Sequence, residues 1–238
     1  MRIALLGYGR MGKAIEAVAI KRNHQIVLKT GSQNHFDLTA DNLSQTDVAI
    51  EFTGASGALE NLLICAKAKI PVVCGSTGWL HNFDKAVGAF EENNTAFVYA
   101  SNYSIGVNIF FELNKKLAAL MSAHPEYRPG LRETHHTGKK DAPSGTAITL
   151  AEQILNENPS FKSWANADSG KADELSIISE RVDPAPGTHE IIYKSTVDDI
   201  QIIHTAHNRE GFAVGAVLAA EFLLGKKGIY SMKDVLGF

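Results

Sequence analysis

His135, His136, Lys139, Lys140 and Asp141 crowd into one short segment, ETHHTGKKDAPSGTA, running from Glu133 to Ala147. Pro143, Ser144, Gly145 and Thr146 follow. Ala147, Ile148, Leu150, Ala151, Ile154 and Leu155 then recur at helical spacing. The segment is therefore a loop that feeds a helix N-terminus, with Pro143 or Ser144 in the first turn. Backbone N–H groups at Ser144, Gly145 and Thr146 are expected to be free there. With the helix dipole behind them they would hold an anion of carboxylate or phosphate size. Gly145 has no side chain to keep a ligand away. Lys139 adds a fixed cation, and the two imidazoles can move protons near neutral pH. The loop offers acid–base chemistry beside a bound anion, but it does not name a reaction.

The elements that must position this loop begin at the N-terminus. Residues 2–6, RIALL, read as a buried parallel strand, and Gly7, Gly9 and Gly12 follow as G-x-G-x-x-G before a helical pattern carrying Met11, Ile15, Val18 and Ala19. Strand, glycine turn and helix in this order are the context that the dinucleotide fingerprint requires. A second strand spans 25–28. An acid that would hold the ribose hydroxyls is expected about 20 residues past the glycines. Lys29, Thr30, Gly31 and Ser32 stand there instead, and no acid follows until Asp37. With Arg10, Lys29 and Ser32 would tolerate a 2′-phosphate.

Further strands at 47–52, 71–74 and 96–100 alternate with helices at 56–68 and 82–92. Five strands in this order make a doubly wound parallel sheet. The loops Gly75-Ser76-Thr77-Gly78 and Ser101-Asn102-Tyr103-Ser104 end two of the strands, at the edge where such sheets bind ligands. A helix at 106–121 follows. Past the 133–146 loop and its helix comes a polar surface excursion at 158–173. Strands at 175–180, 189–195 and 200–206, with one before Glu133, make a small mixed sheet. A helix spans 212–224 and a tail runs to Phe238. The expected division is a dinucleotide domain at 1–104, a substrate and oligomerisation domain at 105–208, and a returning segment at 209–238. Hinges are expected near 104–106 and 208–211.

The apolar share is 45% and the net charge −3, with 23 basic and 26 acidic residues. Mixed charges near balance give no support for a nucleic-acid or membrane-surface partner. No charged leader with an apolar stretch and cleavage site opens the chain, and no apolar run approaches the roughly 20 residues that span a bilayer. A cytoplasmic protein is expected. The two cysteines, Cys65 and Cys74, read as buried free thiols in a reducing compartment, with no metal site.

The strings GYGRMG at 7–12, GSTG at 75–78, SNYSIGV from 101 and HHTGKKDAPSGTA from 135 resemble, in this order, those of the bacterial 4-hydroxy-tetrahydrodipicolinate (dihydrodipicolinate) reductases. The resemblance covers nearly the whole chain, including GTHEI from 187 and FAVGAVLAAEFLL from 212. It implies an enzyme of lysine and diaminopimelate biosynthesis that uses NADH and/or NADPH, acts on a small cyclic dicarboxylate and forms a homotetramer through the second domain's sheet. By matching motif, His135 resembles the family's proton donor/acceptor and Lys139 its proton-donating cation. His136 matches a substrate-binding position, and Gly145 and Thr146 match amides that hold a substrate carboxylate. Gly7, Tyr8, Gly9, Arg10, Met11 and Gly12 match cofactor contacts, as do Gly75, Ser76 and Thr77, and Ala100, Ser101, Asn102 and Tyr103. The chain departs from many relatives in a glycine loop shorter by one residue, in the missing acid after the second strand, and at Arg181-Val182-Asp183. Two other readings stand beside this one: a Rossmann oxidoreductase acting on an acyclic amino- or oxo-acid, and a non-catalytic dinucleotide-sensing protein.

Overall fold

The apolar run Arg2–Leu6 forms strand β1. Ile3 and Leu5 enter one apolar cluster, and Ala4 and Leu6 enter another. A strand covered on both faces needs an apolar side chain at every position, so the run is continuous and not alternating. The computed structural model describes every residue except Arg209. It continues through α1 (Arg10–Lys21), β2 (Gln25–Thr30), α2 (Ala40–Leu43), β3 (Val48–Glu51), α3 (Ala55–Lys67), β4 (Val72–Cys74), α4 (Phe83–Glu92), β5 (Ala96–Tyr99) and α5 (Ile105–Met121). Then follow β6 (Arg128–His135), α6 (Gly145–Glu157), β7 (Ser163–Ala165), β8 (Glu174–Arg181), β9 (Thr188–Lys194), β10 (Asp199–Thr205), α7 (Glu210–Leu223), β11 (Gly228–Tyr230) and α8 (Met232–Leu236).

The chain makes two compact units. The first comprises Met1–Asn108 and the C-terminal segment ending at Phe238; the second is Ile109–Asn208. Arg209, inside the hinge expected at 208–211, lies outside the described residues.

In the first unit a sheet of order β11-β5-β4-β3-β1-β2 is parallel throughout. One cluster packs α1 and α7 residues such as Ile15, Val18, Ala216 and Val217 on one face of the sheet. The other packs α3 and α4 residues such as Leu62, Cys65 and Phe90, with Trp79, on the opposite face. The doubly wound sheet is as expected, but it has six strands and not five. The sixth is β11, three residues of the tail that pair with β5. The second strand also runs on to Thr30, so Lys29 lies within it.

The second unit is built on a mixed sheet of order β10-β9-β6-β8-β7. β6 pairs parallel with β8 and antiparallel with β9. The polar excursion contains the short edge strand β7. Leu131, Ile177, Ile191 and Tyr193 pack against Phe110 and Met121 of α5 and against Leu150 and Ile154 of α6. Strand side chains alternate between faces. The period that sends Leu131 into this core therefore sends Glu133 and His135 to the same face, where all are buried. β9 does the same with Ile191 and His189.

Candidate active site

The first unit's candidate cofactor residues gather at the C-terminal edge of its parallel sheet. Gly7 to Gly12 follow β1, Ser32 follows β2, Gly75 to Thr77 follow β4, and Ala100 to Tyr103 follow β5. β1 lies between β2 and β3, the point where the strand order reverses and where open α/β sheets bind ligands. Gly7 has φ +98°, and a Cβ there would lie 2.4 Å from the Phe52 carbonyl oxygen. A Cβ at Gly12 would lie 2.4 Å from the Gly7 carbonyl oxygen, so the turn and α1 close only without side chains. A Cβ on Gly9 would meet nothing within 4 Å, leaving backbone that a pyrophosphate can approach. The N–H groups of Gly7 and Tyr8 both donate to the Thr30 carbonyl at 3.0 Å, which ties the glycine turn to the end of β2. Arg10 is exposed at the start of α1 and Met11 is half-buried behind it.

Two of these side chains are committed to the fold. The Tyr103 hydroxyl donates to the Cys74 and Val98 carbonyls at 2.8 and 3.2 Å, and its ring is buried. Ser76 is buried, and its Oγ accepts the Gly54 N–H at 2.8 Å. Thr77 and Ser101 are exposed, and Asn102 folds back so that its Oδ1 accepts the Ser104 N–H. Burial pushes the Cys65 thiol up to about 12 and raises Cys74 further, so both remain inert thiols.

Lys29, read from the sequence as one of the groups that would tolerate a 2′-phosphate, is paired. Its Nζ lies 2.5 Å from Glu16 Oε1 and 4.8 Å from the centre of the Tyr8 ring. Its counter-ion Glu16 belongs to α1, one turn beyond the glycines.

In the second unit the organising group is a residue to which sequence reasoning assigned no role. Glu133 is fully buried near the end of β6. Its carboxylate accepts the Ser144 N–H at 3.1 Å to each oxygen and the Arg181 Nη2 at 3.2 Å. His135 Nδ1 and His189 Nε2 each lie 3.6 Å from its Oε2. Burial pushes the Glu133 carboxyl up, but the neighbouring His189 and Ser144 groups outweigh it and hold the acid well below its usual range. His189 stands directly opposite Glu133 in the β6–β9 register, and its Nε2 is 3.0 Å from Ser144 Oγ. Glu133, His135 and His189 offer ligand atoms within 4.8 Å of one another. The guanidinium and amide donors already on Glu133 make this a hydrogen-bonded carboxylate and not an open cage of the kind a cation needs.

Ser144 caps α6, its Oγ accepting the Ala147 N–H at 3.2 Å. Its own N–H is spent on Glu133, so Ser144 does not offer the free amide expected of it. The amides of Gly145 and Thr146 remain in the first turn, where a helix has no internal partner for its N–H groups. A Cβ on Gly145 would meet nothing within 4 Å, so the approach to them is open.

Lys139 is likewise paired: its Nζ donates to both Asp141 oxygens at 2.8 Å, because the turn brings residues two apart together. Arg181 supports this turn from below, donating to the Asp141 carbonyl at 2.6 Å and the Lys139 carbonyl at 3.4 Å. Asp183 accepts the Thr137 N–H at 3.2 Å. These three contacts make the Arg181-Val182-Asp183 segment a brace for the loop. His135 sits with its ring 5.1 Å from that of His189. Burial lowers its pKa to about 4, with the His189 charge adding to the effect, so the ring is neutral near pH 7. Its buried Nδ1 has no hydrogen-bond partner among the described residues. His136 is half-buried in the loop beside it. The strand expected before Glu133 runs on to His135, and the period-2 pattern of β6 and β9 puts Glu133 and His189 on the same faces as Leu131 and Ile191.

Comparisons with known proteins identify the family. A family model described as dihydrodipicolinate reductase, N-terminus, matches residues 1–103, and its C-terminal counterpart matches 106–236. A 4-hydroxy-tetrahydrodipicolinate reductase from Christiangramia forsetii is 50% identical over 238 residues, 99% of this chain and 98% of that protein. One from Methanosarcina barkeri is 35% identical over 97% of this chain and 83% of its own length. The solved structure of a dipicolinate-bound dihydrodipicolinate reductase from Paenisporosarcina sp. TG-14 shares the fold, with a TM-score of 0.78 at 23% identity, covering 97% of each chain. The chain thus belongs to the 4-hydroxy-tetrahydrodipicolinate (dihydrodipicolinate) reductase family, NAD(P)H-dependent oxidoreductases of lysine and diaminopimelate biosynthesis.

Proposed function

We propose that this protein reduces 4-hydroxy-tetrahydrodipicolinate to tetrahydrodipicolinate, with His135 and Lys139 handling the proton and the start of α6 holding a ring carboxylate. The observation that carries the reading is the Glu133 cluster, which holds His135, the Lys139 turn and the α6 N-terminus to one buried carboxylate. A bound NADH or NADPH, which Gly7 to Gly12, Gly75 to Thr77 and Ala100 to Tyr103 would hold, supplies the hydride. The 4-hydroxyl leaves as water, and hydride delivery to the unsaturated ring that results leaves developing negative charge, which takes up a proton. The Lys139 ammonium stabilises that charge and is the proton source. His135, neutral near pH 7, takes up and returns a proton at its ring, while Glu133, 3.6 Å from Nδ1, stabilises the imidazolium when it forms. The Gly145 and Thr146 amides, at the positive end of the helix dipole, hold one carboxylate, and His136 contacts the substrate beside it.

The protein is proposed to work as a homotetramer in the cytoplasm. Among the described residues no helix is long and apolar enough to cross a membrane. Half-buried Ile178 and Ile192, with exposed Ile203, lie on the face of the second sheet turned away from its helices, which supports a subunit contact there. The decisive experiment follows NADH and NADPH oxidation with substrate made in the cuvette by the preceding enzyme of the pathway. Substrate-dependent oxidation is expected, and its absence from folded protein with either dinucleotide would overturn the reading.

A further inference from the structure

The end of β2 carries a charge arrangement that the reaction itself does not use. Lys29 Nζ lies 2.5 Å from Glu16 Oε1, and the Tyr8 hydroxyl donates to Glu16 Oε2. The Lys29 ammonium also lies 4.8 Å from the centre of the Tyr8 ring, within cation–π range. Tyr8 belongs to the glycine turn, Glu16 to α1 and Lys29 to β2, so three elements of the dinucleotide edge meet in one cluster. Backbone bonds from Gly7 and Tyr8 to Thr30 hold the turn and the strand end together around it. Just beyond, Asn34 accepts the Gly31 N–H at 2.9 Å and donates to the Lys29 carbonyl at 2.9 Å, bracing the following turn. The Lys29 side chain is 41% exposed and that of Glu16 only 19%, so the cation faces solvent while its counter-ion is tucked behind it.

In dinucleotide folds this strand end meets the adenosine ribose. An acid there binds the 2′-hydroxyl of NAD, and a cation accommodates the 2′-phosphate of NADP. Here one position offers both signs. We infer that the Glu16–Lys29 pair is the specificity determinant for the ribose 2′-substituent: Glu16 restrains and neutralises Lys29, so a 2′-phosphate gains little over a hydroxyl. The inference rests on the dinucleotide reading of the first unit. Tyr8 acts as a positioning residue, holding Glu16 against the lysine. A phosphate arriving at Lys29 competes with a carboxylate already in place and is repelled by it. A hydroxyl does neither.

The test measures binding to the native protein at low salt, with 5′-AMP and 2′,5′-ADP as probes that differ only in the 2′-phosphate. NADH and NADPH serve as the full ligands. The native protein is expected to bind each pair within about tenfold. Glu16→Gln keeps the size of the side chain and removes its charge. It is expected to raise the 2′,5′-ADP to 5′-AMP affinity ratio by roughly three- to tenfold, the scale of one charge at about 4 Å screened by water. The gain should collapse in high salt and vanish in Glu16→Gln with Lys29→Ala. Tyr8→Phe should give a smaller gain of the same sign. An unchanged ratio in folded Glu16→Gln, or a gain that survives loss of Lys29, overturns the inference while leaving the dinucleotide reading intact. Failure of the native protein to bind any of the four ligands overturns both.

Discussion

Arg181 places Nη2 3.2 Å from the buried Glu133 carboxylate and 2.6 Å from the Asp141 carbonyl oxygen, so one guanidinium joins the floor of the second unit's site to the loop above it. Removing one member of a buried ion pair leaves the other uncompensated, which costs about 3–5 kcal/mol. Arg181→Ala should therefore lower stability by about that amount in urea unfolding, with activity falling as the 139–141 turn loosens. Arg181→Lys should recover only part, because an ammonium cannot reproduce the forked contacts. Stability within about 1 kcal/mol of native in Arg181→Ala would show that Glu133 is held by its other donors.

Lys139 and its neighbour Lys140 separate chemistry from folding. The Lys139–Asp141 pair is solvent-facing on the Asp141 side, and such pairs contribute about 0–1 kcal/mol. Lys139→Ala should keep its melting temperature within a few degrees and its NADH affinity, while kcat falls at least about a hundredfold. Lys140→Ala should retain native activity. Equal damage from both substitutions in steady-state assays would remove Lys139 from its proposed role.

The His135 ring titrates in a direction that can be followed by unfolding at several pH values. Its folded pKa, lowered to about 4 by burial first and by His189 second, lies below the ordinary 6.5. Between these values the unfolded chain binds more protons, so stability falls as pH drops from 6.5 through 4, by up to about 3 kcal/mol from this group. Glu133 acts lower: its depressed pKa contributes stability above the usual carboxylate range that is lost as pH falls further. His135→Ala should flatten the stability curve between pH 4 and 6.5, leave the acid limb below it, and flatten the pH–rate profile. An unaltered curve in that variant would place the titration elsewhere.

Gly145→Ala probes the anion holder. A Cβ at Gly145 meets no atom of the described residues within 4 Å, and alanine favours a helical position over glycine by about 1 kcal/mol. Stability should hold or rise slightly. If the 145 and 146 amides receive a substrate carboxylate, the added methyl stands in its way, and KM for the dicarboxylate should rise about tenfold or more. An unchanged KM in steady-state kinetics would move the carboxylate site away from α6.

The sequence by itself determined what depends on neighbours along the chain. The β1–glycine–α1 start is legible because its parts are adjacent: an apolar run, three glycines, at two of which (Gly7 and Gly12) a Cβ would strike backbone, and a helical stripe. The apolar stripe of α6 is legible for the same reason. What tertiary structure alone decided is which charges meet. Lys29 found Glu16, Arg181 found Glu133, and His189 found Ser144 across 45 residues, through strand register and helix packing that no local pattern encodes. Lys139 shows the reverse limit, since its partner is two residues away and only the fold of the turn brings the two together. The strands Ser163–Ala165 and Gly228–Tyr230 are too short to show a period, and each exists because a neighbouring strand presents an unpaired edge to it. Side-chain pairing is a property of three-dimensional proximity, and here it turned three expected free groups, Lys29, Lys139 and the Ser144 amide, into members of hydrogen-bonded clusters.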